Sequence, residues 1–203
     1  MDNKLPKRKD LRLKNYDYSS QGAYFVTICS QNKEQIFSTI DYSVFDKYEI
    51  LYSQIVGDGA FDVPQPTLTQ IGRIVEKYLL SSENISGVTI DEYIIMPNHI
   101  HFVVFLDPEK YRRGAYGTLK APSHTDENVG IENGTSKAPS PANEMLPHMV
   151  STFKRFVNKE IGENIFQRSY IEHVIRDVDD YNTKRKYIYE NPLRWYFKSK
   201  GMR

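Results

Sequence analysis

The hydrophobic residues of the chain follow two spacings, one typical of strands and one typical of helices. Runs rich in β-branched and aromatic residues cover residues 22–29, 88–96 and 99–106, and each run predicts a buried strand. Pro97-Asn98 separates the last two runs, so we expect them to be neighbouring strands joined by a turn. A further strand is expected within residues 165–175.

Apolar residues at helical spacing predict two helices with a hydrophobic stripe. The first begins at Thr67 or Thr69, either of which can cap it, and it ends before residues 81–87. The second covers residues 144–161. Residues 31–66 predict only a short strand and an irregular loop, because Gly and Pro interrupt their apolar pieces.

The last helix carries its own start and stop signals. Asp177 can cap it, and two more aspartates follow in the first turn, where the helix dipole favours acidic side chains. We expect this helix to end near Asn191, because Pro192 disfavours the helical conformation in the residue before it.

Residues 109–143 differ from the rest of the chain in composition. They are rich in Gly, Ser, Pro, Asn and Thr, with almost no apolar periodicity, so they cannot bury enough surface to offset the entropy of ordering. We expect a flexible low-complexity insertion within one domain that spans residues 1–203. The order of elements, β-α-β-β-insertion-α-β-α, predicts an α+β fold in which helices pack on a mostly antiparallel sheet.

Composition excludes several classes of protein. Hydrophobic residues make up 39% and charged residues 26% of the 203 positions, as in soluble globular proteins. Apolar runs such as residues 102–106 are far too short to cross a bilayer, and the charged N-terminus lacks the apolar core of a signal peptide. The single cysteine, Cys29, excludes an internal disulfide framework and a multi-cysteine zinc site. We therefore expect a cytoplasmic protein with no membrane partner.

Charge is distributed unevenly, although the net charge is only +1. Residues 1–30 carry six basic and three acidic side chains, residues 31–107 carry four against eleven, and residues 148–203 carry twelve against seven. Basic ends around an acidic middle can form a nucleic-acid-binding face that the net charge conceals. Charge alone leaves open the alternative of a pair of solvated helices.

Two histidines share one predicted strand, in the sequence His99-Ile100-His101. Side chains two residues apart on a strand point to the same face, so both imidazoles project together. Two adjacent imidazoles can supply two ligands to one metal ion. The spacing also allows a plain pair of strand-end histidines that hydrogen-bond to the backbone.

Tyr187 and Asn191 lie four residues apart and share one face of the last predicted helix. Asp180, Thr183 and Lys184 lie on the same face, which is therefore polar, so Tyr187 is not obviously packing material. Fifteen tyrosines in the chain make a structural or superficial tyrosine the alternative. Asn191 could likewise be an ordinary helix-terminal residue.

These motifs together resemble a known family. The segment MPNHIHFVVF resembles the motif of the HUH nucleases, in which two histidines flank a hydrophobic residue. With DEYII before it and QRSYIEHVIRDVDDY and YIYENPLRW after it, the segment is similar to the REP-associated tyrosine transposases, which are relatives of the single-tyrosine insertion-sequence transposases. The opening RKDLRLKNYDYSSQGAYFVTICSQNKEQIF is also similar to that family. The resemblance covers nearly the whole chain except residues 41–66 and the insertion.

The resemblance implies a ferredoxin-like, RRM-like core (the fold of the HUH endonucleases) with the histidine strand at the centre of the sheet. It implies that His99 and His101 bind a divalent metal ion, Mg²⁺ or Mn²⁺, and that Asn191 completes the metal site. It implies that Tyr187 is the catalytic nucleophile. Lys184, one turn before Tyr187, is a candidate helper on its position alone. Because Mg²⁺ prefers oxygen ligands, an imidazole pair suits Mn²⁺ at least as well.

Three other residues bear on this assignment. Tyr189 is the nearest rival nucleophile, but two residues on from Tyr187 it points about 200° away around the helix. Phe166 stands where family members often have Trp, a change that affects packing rather than chemistry. His173 lies in HVIRD, which also resembles the family, but we can assign it no role.

The implied activity is cleavage and rejoining of single-stranded, hairpin-forming DNA through a 5′-phosphotyrosine intermediate. The basic ends would neutralise DNA phosphates, and Tyr16, Tyr18 and Phe25 could offer stacking surfaces, although such aromatics are more often core residues. The alternatives are a non-catalytic hairpin-binding descendant, a relaxase or replication initiator with the same histidine pair, and a structural protein with coincidental motifs. Such enzymes act as monomers or as homodimers that exchange tyrosine helices, and the sequence leaves both states open.

Overall fold

A computed structural model describes residues 21–47, 63, 65–116 and 141–201. The expectations for the basic N-terminal segment, with Tyr16 and Tyr18, and for most of the predicted insertion lie outside the described residues. Within the described part of the chain, no helix is long and apolar enough to cross a membrane.

The centre of the fold is a four-stranded antiparallel sheet. Its strands are β1 (Gly22–Cys29), β4 (Val88–Met96), β5 (His99–Leu106) and β6 (Ile171–Ile175), in the order β4-β5-β1-β6. A separate two-stranded sheet pairs β2 (Ser38–Thr39) with β3 (Thr67–Leu68). The helices are α1 (Gln70–Ser81), α2 (Pro108–Tyr116), α3 (Pro141–Ile161) and α4 (Val178–Ser199).

The chain order of the main elements is β1-α1-β4-β5-α3-β6, which is the split βαβ arrangement of the ferredoxin-like fold. The predicted α+β class and the predicted ferredoxin-like topology are therefore confirmed. The histidine strand, β5, pairs with β4 on one side and β1 on the other, so its predicted central position is confirmed too. Central strands are held on both edges, which makes β5 a rigid base for a site.

Helices cover both faces of the sheet. The reason is visible in β1, where successive side chains point to opposite faces and both faces carry apolar residues. Tyr24, Val26 and Ile28 are buried on one face, in the main hydrophobic core that α1 and α3 complete. Phe25 lies on the other face, where α4 packs through Ile188 in a smaller apolar cluster. The polar side chains of β1 and β5 that point to this second face lie beneath α4.

The predicted end of the last helix is wrong. We expected α4 to end near Asn191, but it continues through Pro192 to Ser199. A proline inside a helix removes a backbone hydrogen bond and costs about 3 kcal/mol. The extra two turns bury Tyr196 and Phe197, and Tyr196 stacks on Phe45 with ring centroids 5.2 Å apart. Burial of two aromatic rings offsets the cost of the proline.

The predicted insertion is also shorter than expected, because both of its ends are helical. Helix α2 occupies residues 108–116, and α3 begins at Pro141. The Asp107 carboxylate accepts the backbone N–H groups of Glu109 and Lys110, each at 3.1 Å, which caps the first turn of α2. Residues 117–140 lie outside the described part, so the flexible insertion and the single domain stay predictions.

Candidate active site beneath the last helix

Strand β5 places the two histidines side by side on the face that α4 covers. The ring centroids of His99 and His101 are 4.6 Å apart. Burial is the main reason that the pKa of His99 falls to about 4 and that of His101 to about 3. A hydrogen bond with the Asn191 side chain acts in the opposite direction on His99. Both imidazoles are therefore neutral at physiological pH, which is the form that binds metal ions.

Each imidazole is oriented by a polar neighbour through its Nδ1 atom. Thr27 Oγ1 lies 2.8 Å from His101 Nδ1 across the β1–β5 pair. Asn98 Oδ1 lies 2.8 Å from His99 Nδ1 and can only accept, so Nδ1 carries the hydrogen in this contact. The Asn98 amide also donates to the Lys33 carbonyl oxygen at 3.1 Å, which fixes its orientation.

Helix α4 brings Tyr187 and Asn191 to the histidine pair. The ring centroid of Tyr187 is 5.2 Å from that of His101, and Asn191 is buried against His99. Phe25 lies between the sheet and the helix, stacked on His101 at 5.1 Å and edge-on to Tyr187 at 5.8 Å. The structure therefore brings together His99, His101, Tyr187 and Asn191, although their roles stay predictions.

The candidate helper, Lys184, lies at the same site. Its Nζ atom lies over the Phe25 ring, 5.6 Å from the centroid, and 3.9 Å from Asp180 Oδ1. His173 Nε2 also pairs with Asp180, at 2.8 Å from Oδ2. His173, for which the sequence offers no role, thus ties β6 to the first turn of the tyrosine helix.

Tyr189 and Phe166 occupy other surroundings. The Tyr189 hydroxyl accepts the backbone N–H of Val63 at 3.2 Å, and its side chain does not line the cleft that contains Tyr187. Phe166 is buried between Phe37 and Phe153, with ring centroids 5.7 and 5.4 Å away. The presence of Phe166 where family members often have Trp therefore affects the packing of the core.

An open cleft of about 820 Å³ exposes these groups to solvent. The described residues that line it include four cations and no carboxylate; the cations are Lys33, Lys184, Arg194 and Lys198. The Arg194 guanidinium lies 5.5 Å from the centre of the Tyr187 ring. Aromatic side chains also line the cleft, among them Tyr42 and Trp195, whose indole N–H donates to the Tyr42 hydroxyl at 3.2 Å. This lining can accept a polyanion with flat, stackable groups.

The side chains at the site offer two imidazole nitrogens and one amide group. This set of ligands fits a divalent metal ion that binds both nitrogen and oxygen. Because both Nδ1 atoms have side-chain partners, the Nε2 atoms of His99 and His101 would be the ones to bind a metal, and Asn191, whose side chain hydrogen-bonds to His99, lies beside them. Among the described residues, no group of three or more His, Cys, Asp or Glu side chains is arranged as a metal site. Without a carboxylate, two imidazoles and an amide suit Mn²⁺ better than Mg²⁺.

Several site residues were missed by sequence reasoning. Thr27 lies on the same strand face as Phe25, and alternation alone could have placed it there. Its contact with His101 depends on which strands pair and in which register, and a single sequence does not show this. Asn98 was assigned only to a turn, and Trp195 lay beyond the expected end of the helix.

Comparison with known proteins finds relatives both in sequence and among solved structures. A protein of Haemophilus influenzae described as uncharacterized is 31% identical over 192 residues, which is 93% of this chain and 89% of that protein. A solved REP-associated tyrosine transposase bound to a REP hairpin is 16% identical, with a TM-score of 0.46 over 90% of this chain and 73% of its own. A putative transposase of Deinococcus radiodurans is 13% identical, with a TM-score of 0.36 over 89% of this chain and 96% of its own. No family model matches the sequence.

Proposed function

This chain belongs to the same family as the Haemophilus influenzae protein, and we propose that it is a REP-associated tyrosine transposase that cleaves and rejoins single-stranded DNA beside a hairpin. The observation that carries the proposal is the contact of Tyr187 with a histidine pair that desolvation keeps neutral, in a cleft lined by cations. The motif resemblance supplies the reaction type, and this geometry supplies the groups that the reaction needs.

The reaction is a nucleophilic substitution at phosphorus. The Tyr187 phenolic oxygen forms a bond to the scissile phosphorus while the bond from phosphorus to the 3′-oxygen breaks. The products are a 5′-phosphotyrosine and a DNA end with a free 3′-hydroxyl, which takes up a proton. The covalent link preserves the energy of the phosphodiester bond, so a 3′-hydroxyl can later attack phosphorus and rejoin the strands.

Cations around Tyr187 suit both the substrate and the chemistry. The Arg194 guanidinium lies over the Tyr187 ring, and the Lys184 ammonium lies over the ring of Phe25, which is itself edge-on to Tyr187. The same charges stabilise the negative charge that develops on the phosphate oxygens.

His99, His101 and Asn191 would hold the metal ion, either Mn²⁺ or Mg²⁺. When bound, the ion supplies Lewis-acid polarisation of the scissile phosphate. Thr27 and Asn98 keep the two imidazole rings in fixed orientations. The Phe25 ring, stacked on His101 and edge-on to Tyr187, sets the spacing between the ligand strand and the nucleophile.

The test is a covalent-adduct assay with a labelled DNA library whose members carry a hairpin and single-stranded flanks. Wild type with Mn²⁺ is expected to form an adduct that survives denaturing electrophoresis. Tyr187→Phe is expected to lose the adduct, by at least a hundredfold, while it still binds the DNA. Tyr189→Phe is the matched control and should retain the adduct.

The other outcomes are equally informative. An adduct in Tyr187→Phe that disappears in Tyr189→Phe would move the nucleophile to Tyr189. Binding of hairpins by wild type without any adduct would favour the non-catalytic hairpin-binding descendant. Failure of wild type to bind any member of the library would contradict the proposed function.

A further inference from the structure

A second cleft lies beside the C-terminal half of α3 and is separate from the cleft that contains Tyr187. We call it the α3 cleft; α3 and the loop of residues 162–170 line its volume of about 610 Å³. An adjoining cavity of about 630 Å³ shares Lys154 and Arg168 with it and extends to Gln31 and Asn32. The neighbouring Lys33 instead lines the cleft that contains Tyr187, which we call the catalytic cleft after the proposed function. One turn, residues 30–33, therefore separates the two clefts.

The walls of the α3 cleft are held firmly together. Gln31 N–H donates to the Ile165 carbonyl at 2.7 Å, and Gln167 N–H donates to the Cys29 carbonyl at 3.0 Å, which joins the turn to the loop. The Lys154 ammonium donates to the carbonyls of Gln167 at 2.8 Å and Ser169 at 3.3 Å, which joins the loop to α3. The cleft is thus a fixed feature of the fold between α3 and the loop of residues 162–170.

Within the described part of the chain, the cations of the α3 cleft form no ion pair with a carboxylate. Arg155, Lys159 and Arg168 are exposed, and none of them forms an ion pair within the described part of the chain. Elsewhere many cations are paired, for example Arg185 with Glu92 and Lys77 with Glu160. Glu163 is the one carboxylate among the described residues of the lining. Unpaired cations on one surface attract a polyanion, because no internal carboxylate competes for them.

The chemistry of the lining distinguishes this cleft from the catalytic one. Stackable rings line the catalytic cleft, which suits unpaired bases. The α3 cleft presents cations and side-chain amides, and Tyr170, the one aromatic ring among its described residues, lies under the Lys154 ammonium at 6.0 Å. A surface of cations and amides without free rings suits the sugar–phosphate backbone of paired DNA, whose bases are not available for stacking.

We propose that the α3 cleft binds the phosphate backbone of a DNA stem whose unpaired flank enters the catalytic cleft. The inference rests on the proposed function, because it places the paired part of the same substrate. The turn of residues 30–33 would then lie at the junction between paired and unpaired DNA.

The test is a binding measurement on a variant with two cations removed, Arg155→Ala with Arg168→Ala. The ligands are a fluorescein-labelled hairpin with a single-stranded flank, the blunt stem alone, and the unpaired flank alone. We expect the variant to bind the hairpin and the stem on the order of tenfold more weakly, and to lower the dependence of log K on log salt by about two for the hairpin. Binding of the unpaired flank should be unchanged.

The matched control removes two arginines from α2, Arg112→Ala with Arg113→Ala, and should bind all three ligands as wild type does. The inference is overturned if the variant with Arg155→Ala and Arg168→Ala binds the hairpin with wild-type affinity. It is also overturned if the affinities of that variant for the stem and for the flank fall by the same factor. In either case wild-type binding and adduct formation leave the proposed function standing. If wild type binds none of the ligands, the proposed function fails, and the inference fails with it.

Discussion

At the scale of single residues, the orientation of His99 depends on one amide. The Asn98 carbonyl oxygen accepts from His99 Nδ1–H, which leaves the Nε2 lone pair for a metal ion. We expect Asn98→Ala to lower Mn²⁺ affinity by about tenfold or more, because the ring loses the partner that fixes its tautomer. Isothermal titration calorimetry with Mn²⁺ measures this loss.

Two variants make the Asn98 experiment specific. Asn98→Asp keeps an acceptor for His99 Nδ1–H and should retain more Mn²⁺ affinity than Asn98→Ala. Asn84→Ala removes an exposed amide that does not line the cleft containing Tyr187, and it should have no effect. Unchanged Mn²⁺ affinity in Asn98→Ala would show that the contact does not orient the ligand.

The proposed ligands and nucleophile were predictable from sequence, and their polar partners were not. His99 and His101 share a strand face, and Tyr187 and Asn191 share a helix face, so local periodicity groups each pair. Joining the two pairs needs the packing of α4 on the sheet, which the sequence suggested only through its resemblance to a family. Thr27 lies 74 positions from His101, and the contact depends on strand register.

At the scale of elements, the start of α4 depends on one cap. The Asp177 side chain accepts the backbone N–H of Asp180 at 2.8 Å. We expect Asp177→Ala to lower the free energy of unfolding by about 1 kcal/mol, because a first-turn donor loses its partner. Asp179→Ala, in the same turn, should cost only a few tenths of a kcal/mol through the helix dipole. Urea denaturation of both variants measures the difference, and equal costs would contradict the capping assignment.

The start of α4 was predictable and its end was not, for a physical reason. An N-cap acts on the next three residues, so a local pattern is enough to locate it. The far end of α4 is held by the burial of Tyr196 and Phe197 against Phe45, which lies about 150 positions earlier in the chain. The rule that a proline ends a helix considers only the neighbours of Pro192, so it does not include that long-range packing.

At the scale of the whole molecule, the folded structure decides which cations remain unpaired at a surface, and the number of charges in a segment of the chain does not. The sequence indicated a basic C-terminal region, but many of its cations are paired with acids, such as Arg194 with Glu190 and Arg185 with Glu92. Among the cations without an ion pair in the described part of the chain, Arg155 and Arg168 lie at the α3 cleft and Lys198 lies at the catalytic cleft. Counting charges along the chain does not separate paired from unpaired side chains, because pairing depends on contacts between distant residues.

A metal ion held by β5 and α4 together would join the sheet to the tyrosine helix, so binding it should stabilise the whole fold. Because the ligands converge only in the native state, Mn²⁺ at a hundred times its dissociation constant should add about 2.7 kcal/mol to the free energy of unfolding. Thermal unfolding with Mn²⁺ or EDTA measures the shift in Tm. His101→Ala and Asn191→Ala should reduce or abolish the shift.

His148→Ala is the control for the thermal measurement, because His148 is an exposed histidine on α3, outside the lining of the catalytic cleft. It should respond to Mn²⁺ as wild type does. If His101→Ala keeps the full shift, the ion binds elsewhere, and the histidine pair is a packing feature of the sheet. If wild type shows no shift with Mn²⁺ but a clear one with Mg²⁺, oxygen ligands such as water must outweigh the preference of the two imidazoles for Mn²⁺.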